Sequence, residues 1–444
     1  MSYIEEVYNK VVQENPGEFE FHQAVREVFS SIRPAVDANE ALYRDASILE
    51  RLVEPERIVI FRVPWIDDQG RLQINKGYRV QFSSAIGPYK GGLRFHSTVN
   101  LNMLKSMGFE QVMKNALTGF PFGGAKGGSN FERRGKSERE IMTFCQSYMT
   151  EFCKYIGTDI DIPTSDLGVG SREIGYLYGQ YKRIRGCSEG SITGKGVSYG
   201  GSPARPHSTG YGLVYVLDEM MKKECGGLEG KTVVVSGAGN VAIHAAEKCQ
   251  QLGAKVVAIS DSSGYIHDKN GLRMDVVREI KDVRRGRIRE YADEVPGSIY
   301  TEGNDIWTIP CDVALPCALQ EDIKLADAKL LVAGGCKAVA EGAINPATPD
   351  AIAYLKEHGV FYMPGKAANV GGIVVSSLEI CQDTAHQKWS FEKVDRSLEE
   401  SMREIFNKSA DAAERYGVPG DYLVGANIVS FEKLADAMIS QGYV

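Results

Sequence analysis

The 444-residue sequence predicts an α/β protein of two domains, the second organised around a doubly wound, mostly parallel sheet. Three observations lead there. The chain exceeds the length at which one hydrophobic core stops growing, so two domains of ordinary size are expected. Thr193 to Pro206 holds six glycines or prolines and two serines, the composition of a hinge, which places a boundary near residue 200. Beyond it come a β-branched run from Lys231 to Ser236, the tight turn Gly237-Ala238-Gly239-Asn240-Val241-Ala242, helical spacing from Ile243 to Leu252, and a second apolar run from Ala254 to Ile259. That is βαβ order.

Each element has its own signal. Within the first fifty residues Phe21, Val25, Val28, Phe29 and Ile32 recur at helical spacing, which predicts two or three amphipathic helices. Arg57 to Ile66 is β-branched and aromatic, Asp67-Asp68-Gln69-Gly70 is a turn cluster, and Arg71 to Phe82 resumes the alternation, which predicts a hairpin. Over Asn100 to Thr118 the positions Leu101, Leu104, Met107 and Gln111 follow a helix, and Gln111 and Lys114 share one of its faces. A helix is expected over Ser137 to Ile156, then a short strand ending at Pro163. Asp166 follows in a glycine-bounded loop, five residues ahead of the helix for which Ser171 is the better cap, so it is read as a functional candidate as much as a cap. In the second half, strands at Val313–Leu315, Leu330–Ala333 and Phe361–Met363 alternate with helices and extend the sheet.

Composition narrows the function. Apolar residues at 43% and charged ones at 25% are those of a soluble globular protein. A net charge of -7 argues against a nucleic-acid partner, which calls for a basic surface. The acidic start Met1-Ser2-Tyr3-Ile4-Glu5-Glu6 does not read as a signal peptide, and no stretch reads as a membrane span. Nine cysteines without any C-x-x-C pair read as reduced thiols of a cytoplasmic protein, and the dispersed histidines predict no metal.

The chemistry concentrates in three stretches: Lys90-Gly91-Gly92-Leu93-Arg94-Phe95-His96, Gln111-Val112-Met113-Lys114-Asn115-Ala116, and Gly123-Gly124-Ala125-Lys126-Gly127-Gly128. Any one lysine is more often a solvated surface group. Three together, two of them inside double-glycine turns and interleaved with Leu93, Phe95, Phe109, Phe120 and Phe122, point to a cleft that binds a small anion. The later glycine turn carries a second site. Gly237 makes the turn, Gly239 lets a pyrophosphate approach the backbone, Ala242 permits close packing, and the helix opening at Asn240 and Val241 offers its N–H groups to phosphate. With an acidic Asp261 about 20 residues on, this is a dinucleotide site. Asp261 alone favours NAD, whereas the hydroxyls of Ser260, Ser262 and Ser263 and the cationic run Lys281-Asp282-Val283-Arg284-Arg285-Gly286-Arg287 suit a 2′-phosphate.

With those motifs, and with Asp166-Leu167-Gly168-Val169-Gly170 and Pro364-Gly365-Lys366-Ala367-Ala368-Asn369, the chain resembles over its whole length the hexameric glutamate dehydrogenases of bacteria and fungi. The resemblance implies reversible oxidative deamination of L-glutamate to 2-oxoglutarate and ammonium, with NADP as cofactor and NAD as the alternative. It implies that Lys90 and Ser376 bind the side-chain carboxylate, that Lys114, Gln111 and the backbone at Ser165 hold the α-carboxylate, and that Arg205 shapes the site. Lys126 and Asp166 would move the protons. Thr209, Asn240 and Asn369 would touch the cofactor, and Ser260, Asp261 and Ser262 with Lys281 and Arg284 look like the NADP-preferring members. An N-terminal α/β substrate and oligomerisation domain (1–200, rejoined by a last helix within 425–444) would be separated by a cleft from a Rossmann-like domain (201–424), in a homohexamer. The chain departs from the family pattern at Ile344-Asn345, Val370, Ser377 and His207-Ser208. Rival readings are a leucine- or phenylalanine-type dehydrogenase, which needs an apolar pocket at Lys90 and Ser376, and a non-catalytic cofactor sensor, which should lack Lys126 or Asp166.

Overall fold

A computed structural model describes residues 1–187 and 189–443. The chain divides into two compact units: Met1–Pro203 with Val375–Val394 and Asn427–Val444, and Ala204–Val374 with Asp395–Ala426.

The first unit opens on four helices, Tyr3–Glu14, Phe19–Ala38, Glu40–Asp45 and Ile48–Val53, where two or three were expected. Short polar breaks at Asn39 and Ser47 divide the later run. A five-stranded sheet follows: β1 (Arg57–Ile66), β2 (Leu72–Ser83), β3 (Tyr89–Phe95), β4 (Gly124–Ser129) and β5 (Asp161–Ser165), in the order β1-β2-β4-β3-β5. β1 and β2 form the predicted hairpin, β2 and β4 are antiparallel, and β3 runs parallel to both β4 and β5. Helix Glu138–Phe152, started by a reciprocal Ser137–Glu140 cap, lays Phe144, Tyr148 and Phe152 against Phe61, Trp65 and Phe95 of the sheet. The next helix begins at Ser171 itself, with Gly170 in the cap position and its N–H held by Glu173, so Ser171 is not the cap.

Beneath the sheet Arg79 and Asp161 are both fully buried. Arg79 donates through Nε and Nη2 to the Asp161 carboxylate, Gln81 Nε2 joins at 2.9 Å, and Arg79 Nη1 reaches the Gly91 carbonyl at 3.1 Å. This network pins the double-glycine stretch of β3. Asp161→Asn removes the charge opposite a buried guanidinium, an error costing on the order of 3–5 kcal/mol. A fall of several degrees in the thermal midpoint is expected. An unchanged midpoint would show that the pair carries no stability.

The second unit is a seven-stranded sheet of β6 (Thr232–Ser236), β7 (Lys255–Asp261), β8 (Gly264–His267), β9 (Ile299–Glu302), β10 (Val313–Pro316), β11 (Ala338–Ala340) and β12 (Phe361–Met363), ordered β12-β11-β10-β6-β7-β8-β9. Five strands are parallel, and β8 and β9 add an antiparallel edge that the sequence reading lacked. One predicted strand is wrong: Leu330–Ala333 is the end of helix Leu325–Ala333, and the strand lies at Ala338–Ala340. An apolar run of four cannot be told from a helix end by periodicity.

The division of the chain also differs from expectation. Val375–Val394 belongs to the first unit rather than the second. Helix Gly371–Thr384 carries Ser376 to Lys90 and Glu379 to Lys195, whose Nζ reaches Glu379 Oε1 at 2.8 Å and Asp383 Oδ2 at 2.7 Å. Glu379 also takes the Gly194 N–H at 3.0 Å. These buried ionic bonds hold the segment. The final helix, Tyr422–Gln441, packs on the first unit from Asn427 onward, with Asn427 Nδ2 on Ser31 Oγ at 2.7 Å and Phe431 against Tyr43.

Candidate active site

β3 lays out the first half of the site by simple alternation, with Lys90, Gly92 and Arg94 on one face of the strand and Gly91, Leu93 and Phe95 on the other. Its neighbours are β4, carrying Lys126, and β5, which runs on to Asp166. The pair must reach across β3. It can do so because the β3 residue between them is Gly92, where an added Cβ would lie 2.8 Å from Asp166 Cβ and 3.2 Å from Lys126 Nζ. Lys126 Nζ stands 3.0 Å from Asp166 Oδ2, and Arg94 Nε donates to the same oxygen at 3.0 Å.

Burial pushes the Asp166 carboxyl up, but the Lys126 ammonium and Arg94 guanidinium outweigh it and hold it down at about 2. Asp166 is therefore a carboxylate, with lone pairs that can accept a hydrogen bond from water. Lys126 faces this carboxylate.

At the other end of the strand Lys90 is buried, with Nζ on Ser376 Oγ and 3.3 Å from Thr193 Oγ1, while the two hydroxyls are 3.1 Å apart. One ammonium and two hydroxyls thus converge, a donor set that fits a carboxylate. Helix Leu101–Leu117 sits tightly over β4, with Val112 against Gly124 where an added Cβ would come within 2.4 Å. It holds Gln111 and Lys114, both half-buried. Gln111 Nε2 donates to Asn115 Oδ1 at 2.8 Å, and Asn115 donates to the Lys90 carbonyl at 3.0 Å, so the helix is tied to the Lys90 strand. Ser165 closes β5 opposite Leu93. The structure brings Lys90, Lys126, Asp166, Ser165 and Ser376 together around β3.

Arg205 and Thr209 lie in the second unit, flanking Gly372, whose added Cβ would meet Thr209 Oγ1 at 3.0 Å and Arg205 Nη1 at 3.3 Å. There the glycine turn has the expected form. Gly237 takes a φ of +83°, and an added Cβ at Gly239 would meet nothing within 4 Å, leaving room for a phosphate. Helix Asn240–Gln251 starts with no side-chain cap, so the N–H groups of its first turn, at Asn240 and Val241, suit an anion. These residues fit a dinucleotide. Asn240 Nδ2 is held by the Pro206 carbonyl at 2.7 Å, and Asn369 Nδ2 by the Ala343 carbonyl at 3.2 Å. Ser260 Oγ accepts the Gly237 N–H at 2.9 Å and so braces the turn.

Asp261 is encircled. It accepts from Ser263 N–H and Oγ, from the Ile288 N–H and from Lys281 Nζ, all within 2.9 Å. Burial raises its pKa, yet these donors bring it to about 2. With both oxygens engaged, Asp261 acts as an anchor for the cationic segment. Arg284, placed by the sequence reading over this pocket, is turned instead toward Glu294, Glu290 and Glu279. The guanidinium beside Ser262 is that of Arg287, with Nη1 to Ser262 Oγ at 2.6 Å. A π-turn at Glu279–Val283 and a left-handed Arg285 set this register.

Residues 200–442 match the Glutamate/Leucine/Phenylalanine/Valine dehydrogenase family, and residues 55–183 match its dimerisation domain. The chain belongs to the Glu/Leu/Phe/Val dehydrogenase family. It is similar to the NADP-specific glutamate dehydrogenase of Helicobacter pylori, 49% identical over 99% of this chain and 100% of that one. The NAD-specific glutamate dehydrogenase of Clostridium symbiosum is 47% identical, over 99% of each chain. In three dimensions the chain superposes on Plasmodium falciparum glutamate dehydrogenase with a TM-score of 0.96 at 45% identity, over 99% of this chain and 95% of that one.

Within this dehydrogenase frame the sequence reading missed three residues. Thr193 was read as hinge, and its hydroxyl meets Lys90 only through a contact 103 residues apart. Arg94 stands in a quoted motif, but its bond to Asp166 depends on strand order. Arg287 was one of four cations in a run and only the backbone singles it out. Among the described residues, no helix is long and apolar enough to cross a membrane, and no group of three or more His, Cys, Asp or Glu could hold a metal.

Proposed function

We propose that this family member is an NADP-dependent glutamate dehydrogenase, reversibly converting L-glutamate to 2-oxoglutarate and ammonium. The observation that carries glutamate over an aliphatic or aromatic amino acid is the buried Lys90–Thr193–Ser376 cluster, since a converging ammonium and two hydroxyls suit a carboxylate and offer an apolar side chain a polar wall. Lys114 and Gln111, with the Ser165 backbone, hold the α-carboxylate, and the family resemblance adds Arg205 to the substrate groups. Gly237, Gly239, Asn240, Val241, Thr209 and Asn369 would hold the dinucleotide, which when bound would supply the acceptor and donor for the hydride of the substrate Cα. Asp166, ionised and 3.0 Å from Lys126, takes a proton from the water that attacks the resulting imine carbon. Lys126 stabilises the oxygen that forms there, and the proton is returned as ammonia departs.

NADP is read through Ser262, Arg287 and Lys281 rather than through Asp261, which is already saturated. One assay tests both claims: oxidation of NADPH and NADH with 2-oxoglutarate and ammonium. Turnover with NADPH preferred is expected, and its absence removes the proposal. Arg287→Ala with Lys281→Ala should weaken NADPH by about 10-fold or more and leave NADH nearly unchanged, as when charge-assisted bonds to one phosphate are lost. Arg284→Ala should change neither. Equal losses for both cofactors would make the segment structural.

The enzyme works as a homo-oligomer, a hexamer by family resemblance. Edge strand β1 exposes Ile58, Ile60 and Ile66 beside Leu72 and Ile74 of β2, an apolar face suited to a second copy. Nine free thiols suit the cytoplasm.

A further inference from the structure

We propose that Arg94 is a positioning residue of the proton-transfer site, holding Asp166 oriented and ionised until water attacks, independently of Lys126. The proposal rests on Lys126 and Asp166 being the proton-transfer pair. Asp166 Oδ2 receives Lys126 Nζ and Arg94 Nε at the same distance, 3.0 Å. In an isolated lysine–aspartate pair the two titrations are coupled, because a proton leaving the ammonium finds the carboxylate as its nearest acceptor. The pair would then exchange its proton internally, and the carboxylate would be lost as a base for water. A guanidinium changes this balance. Arg94 cannot be deprotonated, so its charge stays on Oδ2 when the lysine is neutral.

The placement is built into the sheet. Lys90, Gly92 and Arg94 alternate on one face of β3, and Leu93 pairs with Ser165 in parallel register, so the next step along sets Arg94 beside Asp166. Gly92 lets Lys126 cross from β4 to the same oxygen. The charged groups meeting Asp166 are thus Lys126 from β4 and Arg94 from β3, and the Arg94 side chain is itself mostly buried, where its charge is weakly screened.

The test is the pH dependence of kcat and kcat/KM for glutamate in the full-length enzyme and in Arg94→Met, Arg94→Gln and Arg94→Lys. Removing a fixed positive charge makes each neighbouring group hold its proton more tightly, carboxylate and ammonium alike. The acid limb should therefore move up by about one pH unit or more in Arg94→Met and Arg94→Gln, whichever group sets it. Arg94→Lys should fall between these and the parent. The KM for glutamate should stay within about threefold, because the Lys90 pocket is untouched, while kcat at the optimum falls by about 10-fold or more. Arg94→Gln keeps an N–H donor without the charge and carries the same expectation if Arg94→Met does not fold. Profiles that superimpose on the parent after scaling, or a loss that is uniform in pH and follows the thermal midpoint, would overturn the proposal. A parent enzyme inactive on glutamate overturns the function proposed above. An active parent with unshifted variants overturns only the role of Arg94.

Discussion

Asp166→Asn is expected to lower turnover by about two orders of magnitude or more, the usual worth of a positioned acid–base group, with little change in the KM for glutamate. The carboxylate touches Lys126 and Arg94, not the Lys90 cluster, so substrate capture is separate from proton transfer. The variant leaves two cations facing a neutral amide, and some stability goes with it. The sign of that loss is specific. A carboxyl held at about 2 stabilises the fold at pH above the ordinary value near 3.9 and loses that contribution as pH falls toward 2. Parent and variant should therefore differ in thermal midpoint at pH 7 and converge on acidification below about pH 4. Near-normal turnover would remove Asp166 from the mechanism.

Lys90→Leu with Ser376→Val should change the substrate. Leaving a buried carboxylate without its cation costs on the order of 3–5 kcal/mol, a loss of a few hundred-fold or more in kcat/KM for glutamate. An aliphatic side chain in the same pocket gains contact, so activity on norleucine or methionine should appear. Thr193 remains in the wall and will keep the new activity modest. With the α-carboxylate role proposed for Lys114 untouched, norleucine amide should be refused. Comparing kcat/KM for glutamate, norleucine and norleucine amide decides the matter. An unchanged glutamate value overturns the pocket assignment, and loss without any gain makes Lys90 structural.

The parts of the site legible in the sequence are those whose partners lie within a few residues. The Gly237 to Ala242 turn, the hairpin ending at Ile66 and Leu72, and the helix carrying Gln111 and Lys114 follow from local pattern alone. Lys90, Lys126 and Asp166 were legible as candidates because lysines in double-glycine turns and an aspartate too early to cap a helix need a reason. What stayed hidden depends on which strands neighbour which. Nothing local says that β4 and β5 flank β3, and that order alone brings Arg94 to Asp166 and makes Gly92 a passage between them. Arg284 came from the resemblance, and Arg287 was missed because a cationic run has no intrinsic register; past the π-turn at Glu279–Val283 it is Arg287 that meets Ser262. Val375–Val394 was misassigned because a chain that leaves a domain and returns carries no compositional mark.

That return has an evolutionary and engineering consequence. The unit holding Lys90, Lys126 and Asp166 is assembled from three stretches of chain, so the unit with the Gly237 turn is not a cassette that follows residue 200. Exchanging everything past that point with a relative would import the donor's Ser376 and Glu379 and pair them with the recipient's Lys90, Thr193 and Lys195, mixing two carboxylate pockets. A graft of the whole unit takes Ala204–Val374 and Asp395–Ala426 together, with junctions inside the helices Gly371–Thr384, Phe391–Arg415 and Tyr422–Gln441. Recombination at a single crossover therefore cannot trade cofactor choice without also disturbing substrate choice, and the two specificities are inherited as one interleaved block.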